Sequence, residues 1–264
     1  MASSEKVFGL GKCGRKATRA VSKERLVGRV ALVTGASSGI GRAIAVALAQ
    51  NGARVCVVGR NRAALAETAA AAKEFSEVDE FRMDLTSEES VRTLARHLQD
   101  EAGRLDVLVH SAGVIQEAPM ERSQLADLDL QYTTNVRAPY LLTQQLLPLL
   151  TSSHGQVVFI NSSAGLSAKR PDIGQYAATK HALKAIADSL REEVNAKGVR
   201  VLSVHLGRTA TPMQRAFCER QGISYKPELL LQPEDVASVV VHALMLPLTA
   251  EVTDVNMRPM QKSY

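Results

Sequence analysis

Residues 34 to 41 read TGASSGIG, and the segments on either side of this stretch decide the fold. Residues 29–34 form a short apolar run typical of a buried strand, and residues 40–50 have a helical pattern. The three glycines permit a tight turn, a close approach of the backbone to a pyrophosphate and close helix packing. Because a helix N-terminus favours an anion, the stretch predicts a dinucleotide site.

The alternation of strand and helix continues along the chain to residue 257. Strand patterns occur at residues 29–34, 53–58, 80–83, 106–110, 156–160, 199–205 and 252–257. Helical patterns lie between them at 40–50, 62–75, 88–101, 125–150, 175–196 and 234–245, with a capping box of Thr86 and Glu89 and with Pro233 opening the last helix. Most strands are continuously apolar, as strands buried on both faces are. The pattern predicts an α/β fold, a doubly wound Rossmann-type parallel sheet in three α/β/α layers.

The net charge of +5 is concentrated at the start of the 264-residue chain. The first 25 residues carry seven Lys or Arg against two Glu, so the rest of the chain is close to neutral. Such a distribution does not predict a nucleic-acid groove in the domain. We therefore divide the chain into a basic, flexible N-terminal extension at residues 1–27 and a single domain at residues 28–264.

Hydropathy and cysteine usage indicate the compartment. No apolar run approaches the roughly 20 residues that span a bilayer, and the basic extension lacks the apolar segment of a secretory signal. Cys13, Cys56 and Cys218 are scattered without a CxxC pair, and the six histidines show no metal-ligand spacing. We expect a cytoplasmic protein with no membrane partner and no metal site, and organelle targeting by the extension stays open.

The end of the second strand discriminates between the two nicotinamide cofactors. An NAD site usually has an acidic residue at this position, which accepts the ribose hydroxyls. Here Gly59 is followed by Arg60. A guanidinium pairs with a 2′-phosphate, and no carboxylate is present to repel it, so the sequence favours NADP(H).

Residues 176 to 180 read YAATK and lie in the helical pattern at 175–196. A spacing of four places the phenol of Tyr176 and the ammonium of Lys180 on one helix face. Lowering a phenol pKa from about 10 to near neutral requires about 4 kcal/mol, which a fixed ammonium and an oxidised nicotinamide can supply together. The pair therefore predicts an acid/base centre.

Taken in order, these motifs resemble those of the short-chain dehydrogenase/reductase family. Besides TGASSGIG and YAATK, the chain has HSAG at residues 110–113, Asn135 in a long helix, VVFINSSAG at 157–165 and LGRTATPM at 206–213. The resemblance covers about residues 28–258. With the glycine-rich stretch and Arg60, it implies a cofactor site of Gly35, Ser37, Ser38, Gly39, Ile40, Gly41, Arg60, Asn61, Asp84, Leu85, Ser111, Ala112, Gly113, Tyr176, Lys180, Gly207, Thr209 and Thr211.

The family pattern also implies the catalytic set Asn135, Ser162, Tyr176 and Lys180, with Ser162 and Tyr176 binding the substrate oxygen. Asn135 would hold a proton-relay water. Counted back from Tyr176, Ser163 has the commoner separation, whereas counting along the strand selects Ser162. We choose Ser162, because a one-residue slip of a strand turns each side chain to the opposite face.

The resemblance implies reversible hydride transfer between a nicotinamide and a carbonyl or secondary alcohol, with carbonyl reduction as the default direction. It also implies a homodimer or homotetramer. The alternative is a catalytically silent NADP(H)-binding regulator or scaffold. His110 and Ser111 replace the family's usual asparagines, and Leu206 replaces its usual proline, so we expect the nicotinamide pocket to differ here from the family pattern.

Overall fold

The computed structural model describes residues 26–261, which form a seven-stranded parallel sheet. The strands are β1 (Val30–Thr34), β2 (Arg54–Gly59), β3 (Val78–Arg82), β4 (Val107–His110), β5 (Gln156–Ser162), β6 (Arg200–Leu206) and β7 (Asp254–Met257). Their order in the sheet is β3-β2-β1-β4-β5-β6-β7. The predicted doubly wound α/β fold is confirmed. The order reverses between β1 and β4, which is where sheets of this kind bind ligands.

Eight helices of the described residues accompany the sheet. They are α1 (Gly39–Gln50), α2 (Arg62–Lys73), α3 (Glu88–His97), α4 (Leu125–Tyr132), α5 (Ala138–Ser153), α6 (Gly174–Val194), α7 (Pro212–Arg220) and α8 (Pro233–Leu244). Side chains of α1, α2 and α8 pack on one face of the sheet, and those of α3, α5 and α6 pack on the other. These two cores give the predicted three layers.

The packed body begins before the predicted domain boundary. Leu26 is 4% exposed and belongs to the core beneath α1. Its backbone N–H donates a hydrogen bond to the Asn51 carbonyl at 3.2 Å. Residues 1–25, which hold most of the predicted extension, lie outside the described residues.

The helix predicted at residues 125–150 is interrupted. Between α4 and α5 the chain makes a π-helical turn at Thr133–Arg137. Pro139, near the start of α5, has no N–H to donate to the carbonyl four residues earlier. The regular α-helical hydrogen-bond pattern is therefore interrupted at this point. The interruption places Asn135 within the turn.

The helix α7 is missing from the sequence prediction. Its signal is visible in retrospect: Thr211 caps it by accepting a hydrogen bond from the Gln214 amide, and Pro212 is its first residue. The capping box predicted at Thr86 is wrong, because the neighbouring Ser87 is the N-cap of α3 and accepts from the Ser90 amide. Pro233 opens α8 as predicted.

Candidate active site

The glycine-rich turn joins β1 to α1 at the carboxyl edge of the sheet. Gly35 has φ +65°, and a Cβ at this position would lie 2.7 Å from the Ala112 Cα, so only glycine fits without displacing the backbone. Ser38 is the N-cap of α1, and its side chain makes no capping hydrogen bond. Ser37 Oγ is buried without a hydrogen-bond partner among the described residues. The turn therefore presents amide and hydroxyl donors that suit an anion.

A cavity of about 390 Å³ lies over this turn. Among the predicted cofactor residues it is lined by Gly35, Ser37, Ser38, Gly39, Ile40, Gly41, Arg60, Asn61, Asp84, Leu85, Ser111, Ala112, Gly113 and Thr211. Arg60 is exposed at its edge. Two of the lining side chains also stabilise the backbone around the cavity: Asn61 caps α2 through the Ala64 amide at 3.1 Å, and Asp84 accepts from the Thr86 amide at 3.0 Å.

Thr34 positions one wall of this cavity, although sequence reasoning gave it no role. Its buried Oγ1 accepts hydrogen bonds from the backbone amides of Ser111 and Ala112, at 3.1 and 3.2 Å, and donates to the Val109 carbonyl. The end of β1 is thereby tied to the loop after β4. Its place as the last residue of a continuously apolar strand is the signal that marks it as a buried hydroxyl.

A second cavity of about 230 Å³ adjoins the first and shares with it five lining residues, Ile40, Ser111, Gly113, Thr211 and Met213. Ser162, Tyr176, Lys180, Gly207 and Thr209 line this cavity, so the remaining predicted cofactor residues and three of the four predicted catalytic residues meet here. Ser162 is the last residue of β5. Tyr176 and Lys180 lie on one face of α6 and contact the cavity together.

The polar groups of this cavity contact one another. A hydrogen bond joins the side chains of Tyr176 and Ser162. The Lys180 ammonium donates to the Ile160 carbonyl at 3.1 Å and lies 5.8 Å from the centre of the Tyr176 ring. Ser162 Oγ also accepts a hydrogen bond from the Ala164 amide. These contacts fix the hydroxyls of Ser162 and Tyr176 next to each other.

Burial determines the protonation of these groups. It raises the pKa of Tyr176 to about 12, although the hydrogen bond with Ser162 opposes the increase. Burial also lowers the pKa of Lys180 to about 8. At neutral pH the phenol therefore carries its proton and the lysine is mainly an ammonium.

Asn135 is buried behind the cavity and does not line it. Its Oδ1 accepts from the Val114 amide at 2.8 Å, and its Nδ2 donates to the Val114 carbonyl and to Thr179 Oγ1 at 2.9 and 3.1 Å. Both protons of the side-chain amide are therefore engaged. The residue thereby fixes the loop after β4 against α6, the helix that carries Tyr176 and Lys180.

The residues that depart from the family pattern have different surroundings. His110 is buried, stacks on Phe159 with ring centres 4.9 Å apart, and pairs with Thr143 Oγ1 at 2.8 Å. Burial lowers the pKa of His110 to about 3, so the ring is neutral, and it lines neither cavity. Leu206 does line the second cavity, as does the exposed Ser163. Ser111 lines both cavities, so the altered residues that can affect a ligand directly are Ser111 and Leu206.

Within the described residues, no cluster of three or more His, Cys, Asp or Glu side chains has a metal-binding arrangement. None of the helices between residues 26 and 261 has the length and apolar character needed to cross a membrane.

The model of the family described as short chain dehydrogenase matches residues 29–222. An uncharacterized oxidoreductase of Staphylococcus epidermidis is 33% identical over 232 residues, 88% of this chain and 97% of its own. A metagenomic short-chain oxidoreductase solved in complex with NADP is similar with a TM-score of 0.77 and 30% identity, covering 90% of this chain and 100% of that one. A short chain dehydrogenase from Shigella flexneri, solved complexed with NADP, is similar with a TM-score of 0.81 and 32% identity. The match covers 89% of this chain and 98% of that one. This chain therefore belongs to the short-chain dehydrogenase family.

Proposed function

We propose that the protein is an NADP(H)-dependent oxidoreductase that reduces a carbonyl group to a secondary alcohol. The observation that carries the proposal is the contact of Ser162 with Tyr176 beside Lys180, in a cavity that opens onto the glycine-rich turn. Hydride donor and carbonyl substrate would meet where the two cavities join.

The residues of the first cavity fit the cofactor. The N-terminus of α1, where no side chain makes a capping hydrogen bond, suits its pyrophosphate, and the unpaired Ser37 Oγ lies beside Gly59 at the end of β2, where the ribose would bind. Arg60, exposed at the cavity edge, suits a 2′-phosphate. The two related structures solved with NADP support the same choice.

When bound, the reduced nicotinamide supplies a hydride to the carbonyl carbon. Tyr176 then donates the phenolic proton to the carbonyl oxygen, which Ser162 orients through a hydrogen bond. Burial keeps the phenol protonated at neutral pH with a pKa of about 12, which is opposite to the lowered pKa expected from the sequence. Transfer of this proton therefore depends on stabilisation of the phenolate by the Lys180 ammonium. The Lys180 ammonium would bind the ribose of the cofactor and would stabilise the phenolate that remains.

We assign Asn135 a positioning role. Its side-chain amide holds the Val114 backbone and Thr179, so a relay water at this residue would bind through the backbone carbonyl. The relay would return a proton to Tyr176 after each turnover.

We also propose that the chain pairs with further copies of itself through the predicted long helices. Leu125 and Tyr132 on α4 and Tyr140 on α5 are 77, 51 and 54% exposed, as large apolar and aromatic side chains that pack on a second copy would be in a single chain. Light scattering of the full chain checks this, and a monomer at micromolar concentration would contradict it.

A chemically diverse panel of ketones tests the proposed reaction. NADPH oxidation should accompany formation of the alcohol, and Tyr176→Phe should retain NADPH binding and the fold while losing at least about nine-tenths of kcat. NADPH binding without turnover on any member would instead indicate the silent regulator. Retention of more than a tenth of kcat by Tyr176→Phe would remove this residue from the acid/base role.

A further inference from the structure

The second cavity has an excess of positive charge that the proposed reaction does not use. Its charged lining side chains are Arg170, Lys180 and Arg208, and no Asp or Glu of the described residues lines it. Lys180 faces the Ile160 carbonyl beside Tyr176. The two arginines are left without a part in hydride or proton transfer.

Both guanidinium groups lie over the same aromatic ring. The central carbon of Arg170 is 4.5 Å from the centre of Phe217, and that of Arg208 is 5.5 Å from it. Phe217 is 5% exposed and belongs to α7, whereas Arg170 precedes α6 and Arg208 follows β6. Three separate segments thus converge here. A guanidinium held by its face on an aromatic ring keeps its N–H groups at the edge, where they can bind an oxyanion.

Asp172 holds one of the two arginines from outside the cavity. It accepts hydrogen bonds from Arg170 Nε and Nη2 at 3.1 and 2.6 Å, and it also accepts from Gln221. Its carboxylate offsets part of the charge of Arg170 but is not among the lining groups. The cavity itself therefore presents cationic and apolar groups, the latter including Ile115 and Ile173.

We propose that the carbonyl substrate carries a carboxylate, which Arg170 and Arg208 bind at the Phe217 end of the cavity while the carbonyl oxygen lies at Tyr176 and Ser162. This inference rests on the proposed function. A carboxylate accepts charge-assisted hydrogen bonds from a guanidinium, and because Asp172 occupies Nε and one N–H of Nη2 of Arg170, the substrate would bind the remaining N–H groups of this arginine. A cavity of about 230 Å³ can hold a small oxo acid.

Direct binding tests the inference without turnover. Full-chain Tyr176→Phe, with and without NADPH, is titrated calorimetrically with two matched pairs: 4-acetylbenzoate against its methyl ester, and 4-oxopentanoate against its methyl ester. We expect at least one acid to bind about tenfold or more tightly than its ester at low salt, and the preference to narrow as salt rises.

Three variants in this background locate the site. Arg208→Gln should abolish most of the preference for the acid. Arg215→Gln removes the same charge from an exposed arginine that stacks on Tyr225 outside the cavity, and it should change nothing. Asp172→Asn should tighten binding of the acid, because it removes the offsetting carboxylate, whereas mere damage to the pocket would weaken both ligands. Titration with NADPH shows whether Arg208 acts on the cofactor instead.

The outcomes separate the two proposals. Equal affinities for acid and ester, tighter binding of the ester, no binding by either acid, or equal effects of Arg208→Gln and Arg215→Gln would overturn the carboxylate site. A loss of NADPH affinity in Arg208→Gln with the acid preference unchanged would also overturn it. Acid-selective binding in a protein that never oxidises NADPH would support the carboxylate site and defeat the proposed reaction.

Discussion

Ser37 Oγ occupies the space in which a side chain at Gly59 would begin, so the two positions must be considered together. A Cβ at residue 59 would overlap this hydroxyl and would also contact the Ser37 Cβ and Leu65. The end of β2 is therefore closed to larger residues by its neighbour in the glycine-rich turn. A carboxylate introduced at residue 59 therefore requires that Ser37 move or be replaced.

The first prediction concerns that preference. NADPH should be favoured over NADH by about tenfold or more in kcat/KM at low salt, because Arg60 forms charge-assisted hydrogen bonds with the 2′-phosphate. Arg60→Ala should remove most of the preference and leave NADH almost unaffected. The control is Arg62→Ala, a neighbouring exposed arginine that does not line the cavity. Equal use of both cofactors by the wild type would leave Arg60 as a solvated residue.

The reverse preference should follow from Gly59→Asp combined with Ser37→Ala. The alanine removes the overlapping hydroxyl, and the new carboxylate accepts the ribose hydroxyls of NADH while repelling the phosphate of NADPH. Gly59→Ala with Ser37→Ala is the matched control without the charge. If that control shifts the preference equally, then the loss of Ser37 or the added bulk is responsible and the carboxylate is not.

A second prediction separates the two serines. Ser162→Ala should lower kcat/KM far more than Ser163→Ala, because only Ser162 is joined to Tyr176 by a hydrogen bond and Ser163 is exposed. Steady-state kinetics with one substrate checks both variants, and circular dichroism confirms that both fold. The opposite ranking would mean that Ser163 contacts the substrate oxygen.

The third prediction uses the burial of Lys180. Its pKa is lowered in the folded chain from 10.5 to about 8, so the unfolded state binds more protons between these values and the free energy of unfolding contributed by this group rises with pH. In the cofactor-free protein, the stability of the wild type relative to Lys180→Met should increase by up to about 1.4 kcal/mol per pH unit above pH 8.

Urea unfolding from pH 7 to 9.5 measures the difference in the free energy of unfolding between the two proteins. At higher pH the raised pKa of Tyr176 would make the free energy of unfolding fall with pH, so the measurement stops below that range. Lys169→Met, at an exposed lysine, is the control. A constant difference between wild type and Lys180→Met across this range would show that the lysine keeps its ordinary proton affinity in the fold.

The fourth prediction concerns the start of the packed body. Deleting residues 1–25 should leave the Tm and activity almost unchanged, because this segment is strongly basic with few apolar residues. Leu26→Ala in the full chain should lower the free energy of unfolding by about 2 kcal/mol or more, since Leu26 is buried in the core. Thermal and urea unfolding distinguish the two. A drop of several degrees on deletion would mean that the segment packs on the body or on a second copy.

Local patterns predicted the parts of this protein that depend on neighbours in sequence. The apolar runs of β1 and β5, the turn at Gly35 and the face shared by Tyr176 and Lys180 each follow from a backbone period or a steric requirement that a few residues express. The register of β5 follows in the same way, since alternation along a strand assigns Ser162 and Asn161 to opposite faces.

By itself, the sequence determined the α/β alternation, the glycine-rich turn and the pair of Tyr176 and Lys180, because each of these depends only on the spacing of residues that are close together in the chain. Only the tertiary structure decided the start of the core at Leu26, the engagement of Asn135 with Val114 and Thr179, and the meeting of Arg170, Arg208 and Phe217. These contacts join residues far apart in the chain. No periodicity encodes such a meeting, since it results from how the strands and helices pack at the carboxyl edge of the sheet.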